Sequence, residues 1–121
     1  MSIEITYRDG PGCLVAVANG PWRTEDAKRA IEAIRAEADR RKQTRLLADL
    51  RGLSQPDSEM TRFYSGEHAA RFWGHPIRAA VLSRPENYNR FGELVAVNRG
   101  ADLAVFFGEE EALAWLKRDA E

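Results

Sequence analysis

Four short apolar runs fix most of what this chain can become: Cys13 to Ala18, Leu46 to Leu50, Ile77 to Leu82 and Leu103 to Phe107. Strands buried on both faces of a sheet read as continuous runs of this length. Each run is followed by a segment whose apolar residues recur at helical spacing. Strands that alternate with helices imply parallel pairing through right-handed crossovers. A further strand precedes them, because Ile3, Ile5 and Tyr7 alternate with Glu4, Thr6 and Arg8. That period of two marks a half-exposed edge strand. Asp9-Gly10-Pro11-Gly12 then turns it back as a hairpin, so the first strand is antiparallel. The expected order is β-β-α-β-α-β-α-β-α, an α/β fold on a mostly parallel sheet of about five strands. No linker, repeat or low-complexity tract interrupts residues 1–121, which read as a single domain.

The stretches between the runs carry the helix signals. Asn19-Gly20-Pro21-Trp22 reads as a break after the second strand. Thr24 follows as an N-cap, with Glu25 and Asp26 in the first turn. Ala27, Ile31, Ile34 and Ala38 form one apolar stripe. Arg40, Arg41 and Lys42 close that helix, where cations complement the carbonyl end of the dipole. The second helix has two readable starts. Ser54-Gln55-Pro56-Asp57 fits a capping box with proline in the first turn, or Asp57 or Ser58 caps a later start. This helix carries Met60, Phe63, Tyr64, Ala70 and Trp73 and ends by Gly74-His75-Pro76. Ser83-Arg84-Pro85-Glu86 reads as a cleaner capping box for a third helix with Tyr88, Phe91, Leu94, Val95 and Asn98. Gly100 sits where a left-handed C-terminal cap belongs. Gly108-Glu109-Glu110-Glu111 opens the last helix, Ala112, Leu113, Trp115 and Leu116 pack it, and Lys117 and Arg118 close it.

Eighteen basic and nineteen acidic side chains leave a net charge of −1. That balance gives no electrostatic reason to expect nucleic acid or an anionic membrane as a partner. Cys13 is the single cysteine, so no internal disulfide can form. Met1-Ser2-Ile3-Glu4 has neither the basic region nor the apolar run of a secretory signal, and no apolar segment is long enough to cross a bilayer. A cytoplasmic protein is expected, and no cofactor.

The chemistry-bearing residues are few. Ser54 and Ser58 stand at a helix start, where a phosphate could bind, but plain capping explains both. Asp49 lies inside an apolar strand, and Arg51 or loop amides can satisfy it. His68 and His75 lack metal-ligand spacing, so no metal is expected. Cys13 heads a strand and reads as a small packed residue. Trp22 is either a loop residue closing over the core or a partner anchor. Phe63, Tyr64, Phe72 and Trp73 place rings on more than one face of one helix. With Tyr88 and Phe91 they form the candidate lining of an apolar pocket between the second and third helices. A nucleophile–base pair, a metal cluster and a glycine-rich phosphate loop are all missing, which leaves an enzyme as the weakest reading.

Two stretches carry a family resemblance. Leu46-Leu47-Ala48-Asp49-Leu50-Arg51-Gly52-Leu53 and Val105-Phe106-Phe107-Gly108-Glu109-Glu110-Glu111-Ala112-Leu113-Ala114-Trp115-Leu116 resemble the SpoIIAA-like group of bacterial STAS/SEC14-type domains, as does the order of elements along nearly the whole chain. The resemblance implies one of two uses. STAS-type anti-sigma-factor antagonists bind a protein partner and are switched by phosphorylation at the helix start after the central strand. SEC14-type relatives hold a lipid or another apolar molecule. The antagonist motif is an Asp-Ser-Ser-Gly-like run, and here the chain has Asp57-Ser58-Glu59-Met60. Asp57 and Ser58 match, Glu59 replaces the usual phosphoacceptor, and the glycine is missing. The expectation is a non-enzymatic STAS-type interaction module with a partner or switch loop at Ser54, Asp57, Ser58 and Glu59. The alternative is a carrier or sensor for an apolar small molecule or lipid. A homodimer through the first strand or the uncovered aromatics is a further expectation.

Overall fold

The computed structural model describes residues 2–118. Five strands form one sheet in the order β1-β2-β3-β4-β5: β1 Glu4–Gly10, β2 Cys13–Trp22, β3 Arg45–Pro56, β4 Arg78–Leu82 and β5 Asp102–Phe106. β1 pairs antiparallel with β2 at one edge, and every other pairing is parallel. The helices are α1 Thr24–Arg40, α2 Glu59–Phe72, α3 Arg90–Asn98 and α4 Glu109–Lys117, with a short 3-10 turn at Pro85–Asn87. This is the expected order, with the expected antiparallel strand at the edge.

The two faces of the sheet are covered unequally. α1, α2 and α3 lie on one face, where Leu14, Ala16, Leu46, Ala48, Ala79, Val81 and Leu103 meet Ile31, Ile34, Ala69, Trp73 and Ala96. α4 covers the other face alone, with Ala112 and Leu116 on Cys13, Val15, Leu47, Ala80 and Leu82. Adjacent residues such as Leu46 and Leu47 therefore serve opposite layers, which is why the strands read as continuous apolar runs. Cys13 is buried in the α4 layer as the small packed residue expected.

Four local readings need correction. Asn19 to Trp22 does not end β2. It pairs on with a lengthened β3, Asn19 opposite Gly52 and Trp22 opposite Pro56, through two irregular steps in register. Glycine permits this: a Cβ on Gly52 would lie 1.7 Å from Asn19 Oδ1, and Gly20 has φ +136°. Ser54 is consequently a strand residue and no cap. Its hydroxyl accepts from the Trp22 backbone N–H at 3.2 Å. Thr24 does not cap α1 either, since Arg23 holds that position without a side-chain bond. Ser83 does not open a long helix, because its N–H bonds to Phe106 O at 3.0 Å and extends the sheet. The chain turns once at Pro85–Asn87 and restarts at Asn89, whose Oδ1 accepts from Phe91 N at 2.9 Å.

Other signals hold. Ser58 caps α2 by accepting from Thr61 N at 3.2 Å, the later of the two expected starts. Gly100, at φ +92°, closes α3 by donating to Val97 O at 2.9 Å. Ala27, Ile31, Ile34 and Ala38 are the buried stripe of α1.

Candidate functional site

The carboxyl ends of β2, β3 and β4 open under the three-helix layer, where ligands of open α/β sheets are usually met. A cavity of about 120 Å³ lies there. Its inner wall comes from buried Ile31 and Ile34 of α1, Ala69 of α2, Trp73, Val81 of β4 and Leu103 of β5. Ile3, Trp22, Ser83, Tyr88 and Asn89 keep solvent contact and form its rim at the strand ends. Small residues make the space: Ala18, Ala27, Ala30, Gly66, Ala69, Gly92 and Ala96 all border it. Gly66 and Gly92 also let α2 and α3 touch backbone to backbone. A Cβ on Gly66 would lie 2.4 Å from Gly92 O.

The rim is a connected hydrogen-bond frame. The Trp22 indole N–H donates to Ser65 Oγ at 3.0 Å, and Ser65 Oγ donates to Thr61 O at 2.7 Å. Arg62 stacks its guanidinium on the Trp22 ring at 5.3 Å and donates to Asn87 O at 2.5 Å. Asn87 and Arg84 both donate to Leu53 O, at 3.2 and 2.8 Å. These bonds strap the segment after β4 across the exit of β3. Tyr88 Oη donates to Glu93 Oε1 at 2.5 Å, and Glu93 Oε2 accepts from Val105 N at 3.1 Å. Burial and the Glu93 carboxylate together raise the Tyr88 pKa, so the phenol keeps its proton. Trp73 seals the inner end, its indole N–H donating to Ile31 O at 3.1 Å.

The loop expected to be a partner or switch site adjoins this rim. Ser54, Asp57, Ser58 and Glu59 are all exposed. Beneath them Thr61 is buried and gathers three hydroxyl or carboxylate contacts: to Asp57 Oδ1 at 2.5 Å, Thr24 Oγ1 at 2.9 Å and Ser58 Oγ at 3.1 Å. Glu59 accepts from Asn89 Nδ2 at 2.8 Å and faces Arg62 Nε at 3.5 Å. The loop and the cavity thus share Arg62 and Asn89 as a common boundary.

The six aromatics expected to line one pocket are divided. Trp73 and Tyr88 border the cavity; Phe63, Tyr64, Phe72 and Phe91 lie outside it. α2 is clasped between α1 and α3, so its rings project along different faces. Phe63 stacks on Phe91 at 6.2 Å and meets Tyr64 edge-on at 5.4 Å. Phe72 lies on His68 at 4.6 Å. Met60, Tyr64, Phe91, Leu94 and Val97 remain exposed along α2 and α3. Sequence spacing missed Arg62, Ser65, Asn87 and Glu93, whose roles depend on three elements meeting. The small residues were a legible signal, because Gly66 with Ala69 and Gly92 with Ala96 recur at helical spacing.

Asp49 stands on the α4 face. It accepts from the Arg51 Nε and Nη2 at 2.9 and 2.8 Å and from the Arg51 backbone N–H at 3.2 Å. Those side-chain bonds hold its carboxyl below the ordinary range, so it is ionised. His68 Nε2 contacts Glu32 Oε2 at 2.7 Å, and His75 is exposed. Among the described residues no group of three His, Cys, Asp or Glu is placed to hold a metal ion. No helix among them is long and apolar enough to cross a membrane.

A five-stranded, mostly parallel sheet with an antiparallel edge, three helices on one face and one on the other, defines the class: this is the SpoIIAA-like fold of anti-sigma-factor antagonists. An anti-sigma factor antagonist from Mycobacterium paratuberculosis superposes with a TM-score of 0.67 at 18% identity, over 97% of this chain and 96% of that one. An uncharacterised protein with a SpoIIAA-like fold from Shewanella loihica gives 0.60 at 17% identity, over 95% and 94%. No protein-family model matches the sequence, and no curated protein is similar to it.

Proposed function

We propose that the chain is a non-enzymatic, cytoplasmic protein-interaction module of STAS type. Its working surface is the loop Ser54 to Glu59 together with the outer faces of α2 and α3. One observation carries this reading: an apolar stripe runs out from that loop. Met60 is 51% exposed and Phe91 40% exposed, and Tyr64, Leu94 and Val97 continue the stripe at helical spacing. Contiguous exposed apolar surface rimmed by polar residues is the mark of a contact site. The fixed charge of Glu59, beside Arg62, takes the place of a switchable phosphate at the helix start. The neighbouring fold relative named as an anti-sigma factor antagonist supports the same use.

The test is co-purification from the native host with wild type, Met60→Asp, Phe91→Asp and the control Ala36→Asp on the outer face of α1. A stoichiometric protein partner kept by wild type and by the control, and lost from both stripe variants, is expected. No partner, or equal retention by all four, overturns the reading. Intact mass of the same material reports any phosphate on Ser54 or Ser58.

A second reading is a carrier or sensor for an apolar small molecule or lipid. The cavity beneath the strand ends supports it, with its apolar inner wall and its shared boundary with the loop. Native mass spectrometry of host-purified protein, compared with the denatured mass, tests for a retained molecule.

A further inference from the structure

We infer that the cavity is a binding site for a single small, uncharged, ring-sized hydrophobe, with Trp22, Tyr88 and Trp73 as its recognition surfaces. This rests on the second reading above, that the cavity takes an apolar ligand, and specifies which kind. Size limits what the cavity can enclose. Apolar protein cavities of about 150 Å³ take up benzene, and this one measures about 120 Å³. One six-membered ring or a short branched alkyl group fills it; a lipid chain would have to leave most of its length outside the rim.

The charge of the ligand follows from the lining. Only two of its residues are charged, Arg62 and Glu93; their charges are opposite, both have partners within the protein, and Arg62 Nε alone is buried without a hydrogen bond. Arg62 holds Asn87 O and faces the Glu59 carboxylate, and Glu93 holds the Tyr88 hydroxyl and the Val105 N–H. The Trp22 indole N–H is likewise given to Ser65, and that of Trp73 to Ile31 O. An ionic ligand would lose its water against an apolar wall with the one unbonded Arg62 N–H to offset that cost, whereas a neutral ring has no charge to desolvate. Ser65, Ser83, Asn87 and Asn89 add polar groups to the lining; the rest is glycine, alanine, isoleucine, leucine, valine and aromatic rings, which favour an apolar occupant over water.

The position gives the site a consequence. A ring in the cavity would press on the frame of Trp22, Arg62 and Asn87. Those residues border the loop from Ser54 to Glu59 and the start of α2. Occupancy would therefore be felt at the surface proposed for partner binding, through residues that touch both.

The three tryptophans make the test direct. Trp22 and Trp73 border the cavity, and Trp115 lies across the sheet against Phe106. Indole N–H resonances of 15N-labelled protein are followed during titration with benzene, sodium benzoate and n-dodecanol. Benzene is expected to shift Trp22 and Trp73 saturably and leave Trp115 in place. Benzoate should bind at least about tenfold more weakly. Ala69→Leu, which fills the cavity, should abolish the benzene shifts, and Ala96→Leu is the second variant if the first does not fold. Tighter binding by dodecanol than by benzene would keep the apolar-ligand reading and overturn the ring-sized ligand. Benzoate binding as tightly as benzene would overturn the uncharged ligand. Shifts at all three tryptophans, or none with any probe, would overturn both the inference and the reading it rests on.

Discussion

On one face of the sheet Leu47, Leu82 and Leu116 fill the space under a single helix; on the other, three helices bring alanines and glycines to the sheet and leave a cavity. Both faces are built on the same strands, from alternate residues of the same apolar runs. The α4 face has one helix to place, and Val15, Leu47 and Leu82 fill the space against it. Arg78 reinforces that closure at the sheet edge. It lies 3.6 Å over the Trp115 ring while bonding Asp102 at 2.9 Å and Trp115 O at 2.8 Å. The three-helix face must fit α1, α2 and α3 side by side. Close approach of α2 and α3 through Gly66 and Gly92 needs small residues, and small residues do not fill the strand ends. The α4 layer is the smaller and the filled one, and room for a ligand is left on the other face.

That contrast can be broken by substitution. The largest effect is expected at Leu47, fully buried under α4: Leu47→Ala should cost about 3 kcal/mol in urea unfolding. Next come paired enlargements. Ala80→Leu on the α4 face should cost about 2 kcal/mol from overpacking, while Ala69→Leu beside the cavity should change stability by less than about 1 kcal/mol, since the added carbons enter existing space. Equal costs for the two would abolish the distinction between the faces. Trp22→Phe keeps most of the ring but removes the indole donor from Ser65, and should cost about 1 kcal/mol. If it costs nothing, the rim frame is not holding α2 to the end of β2.

The smallest expected effect lies away from both faces, at the end of α1. Side-chain bonds from Arg40 and Arg41 hold the Glu37 carboxyl at about 2, below its ordinary 4.5. A folded-state pKa lowered in this way adds stability above the unfolded value, and the contribution is lost as pH falls from about 4.5 toward 2. Arg41 also bonds Asp9 of β1 at 3.1 Å, so the loss would loosen the hairpin's grip on α1. Melting temperature against pH should fall less steeply below about pH 4.5 in Glu37→Gln than in wild type. Superimposable acid limbs would show that these surface bonds are screened by water to no net effect.

Much of the architecture was legible because hydrophobic period is a local property. The apolar runs of β2, β3 and β4, the alternation from Ile3 to Tyr7 and the stripe of α1 each report burial one residue at a time. The run from Leu103 to Phe107 does not, because β5 is an edge strand in which only Leu103 is buried, and Phe107 is 48% exposed. Capping read less well. Ser58 and Gly100 act as their types suggest, but Ser54 looks like a cap and lies within β3, and Ser83 looks like a cap and follows directly on β4. The Ser54 hydroxyl and the Ser83 N–H had partners on β2 and β5 that no local window includes. Asn19-Gly20-Pro21 misled for the same reason: turn-forming residues also serve a bulged strand when a neighbouring glycine, here Gly52, makes room.

The sequence by itself determined the order of elements, the antiparallel edge and which residues of β2, β3, β4 and α1 are buried, because these follow from backbone hydrogen bonding and the removal of apolar surface from water. Only the tertiary structure decided which aromatics share a space. Phe63 and Phe91 pair on the outside while Trp22, Trp73 and Tyr88 border the cavity, and that division depends on how closely α2 meets α3 and how far β2 and β3 run on together. Those are distances between elements remote in the chain, set by Gly66 against Gly92 and by Gly52 against Asn19. A single sequence records the small residues but not what each one faces.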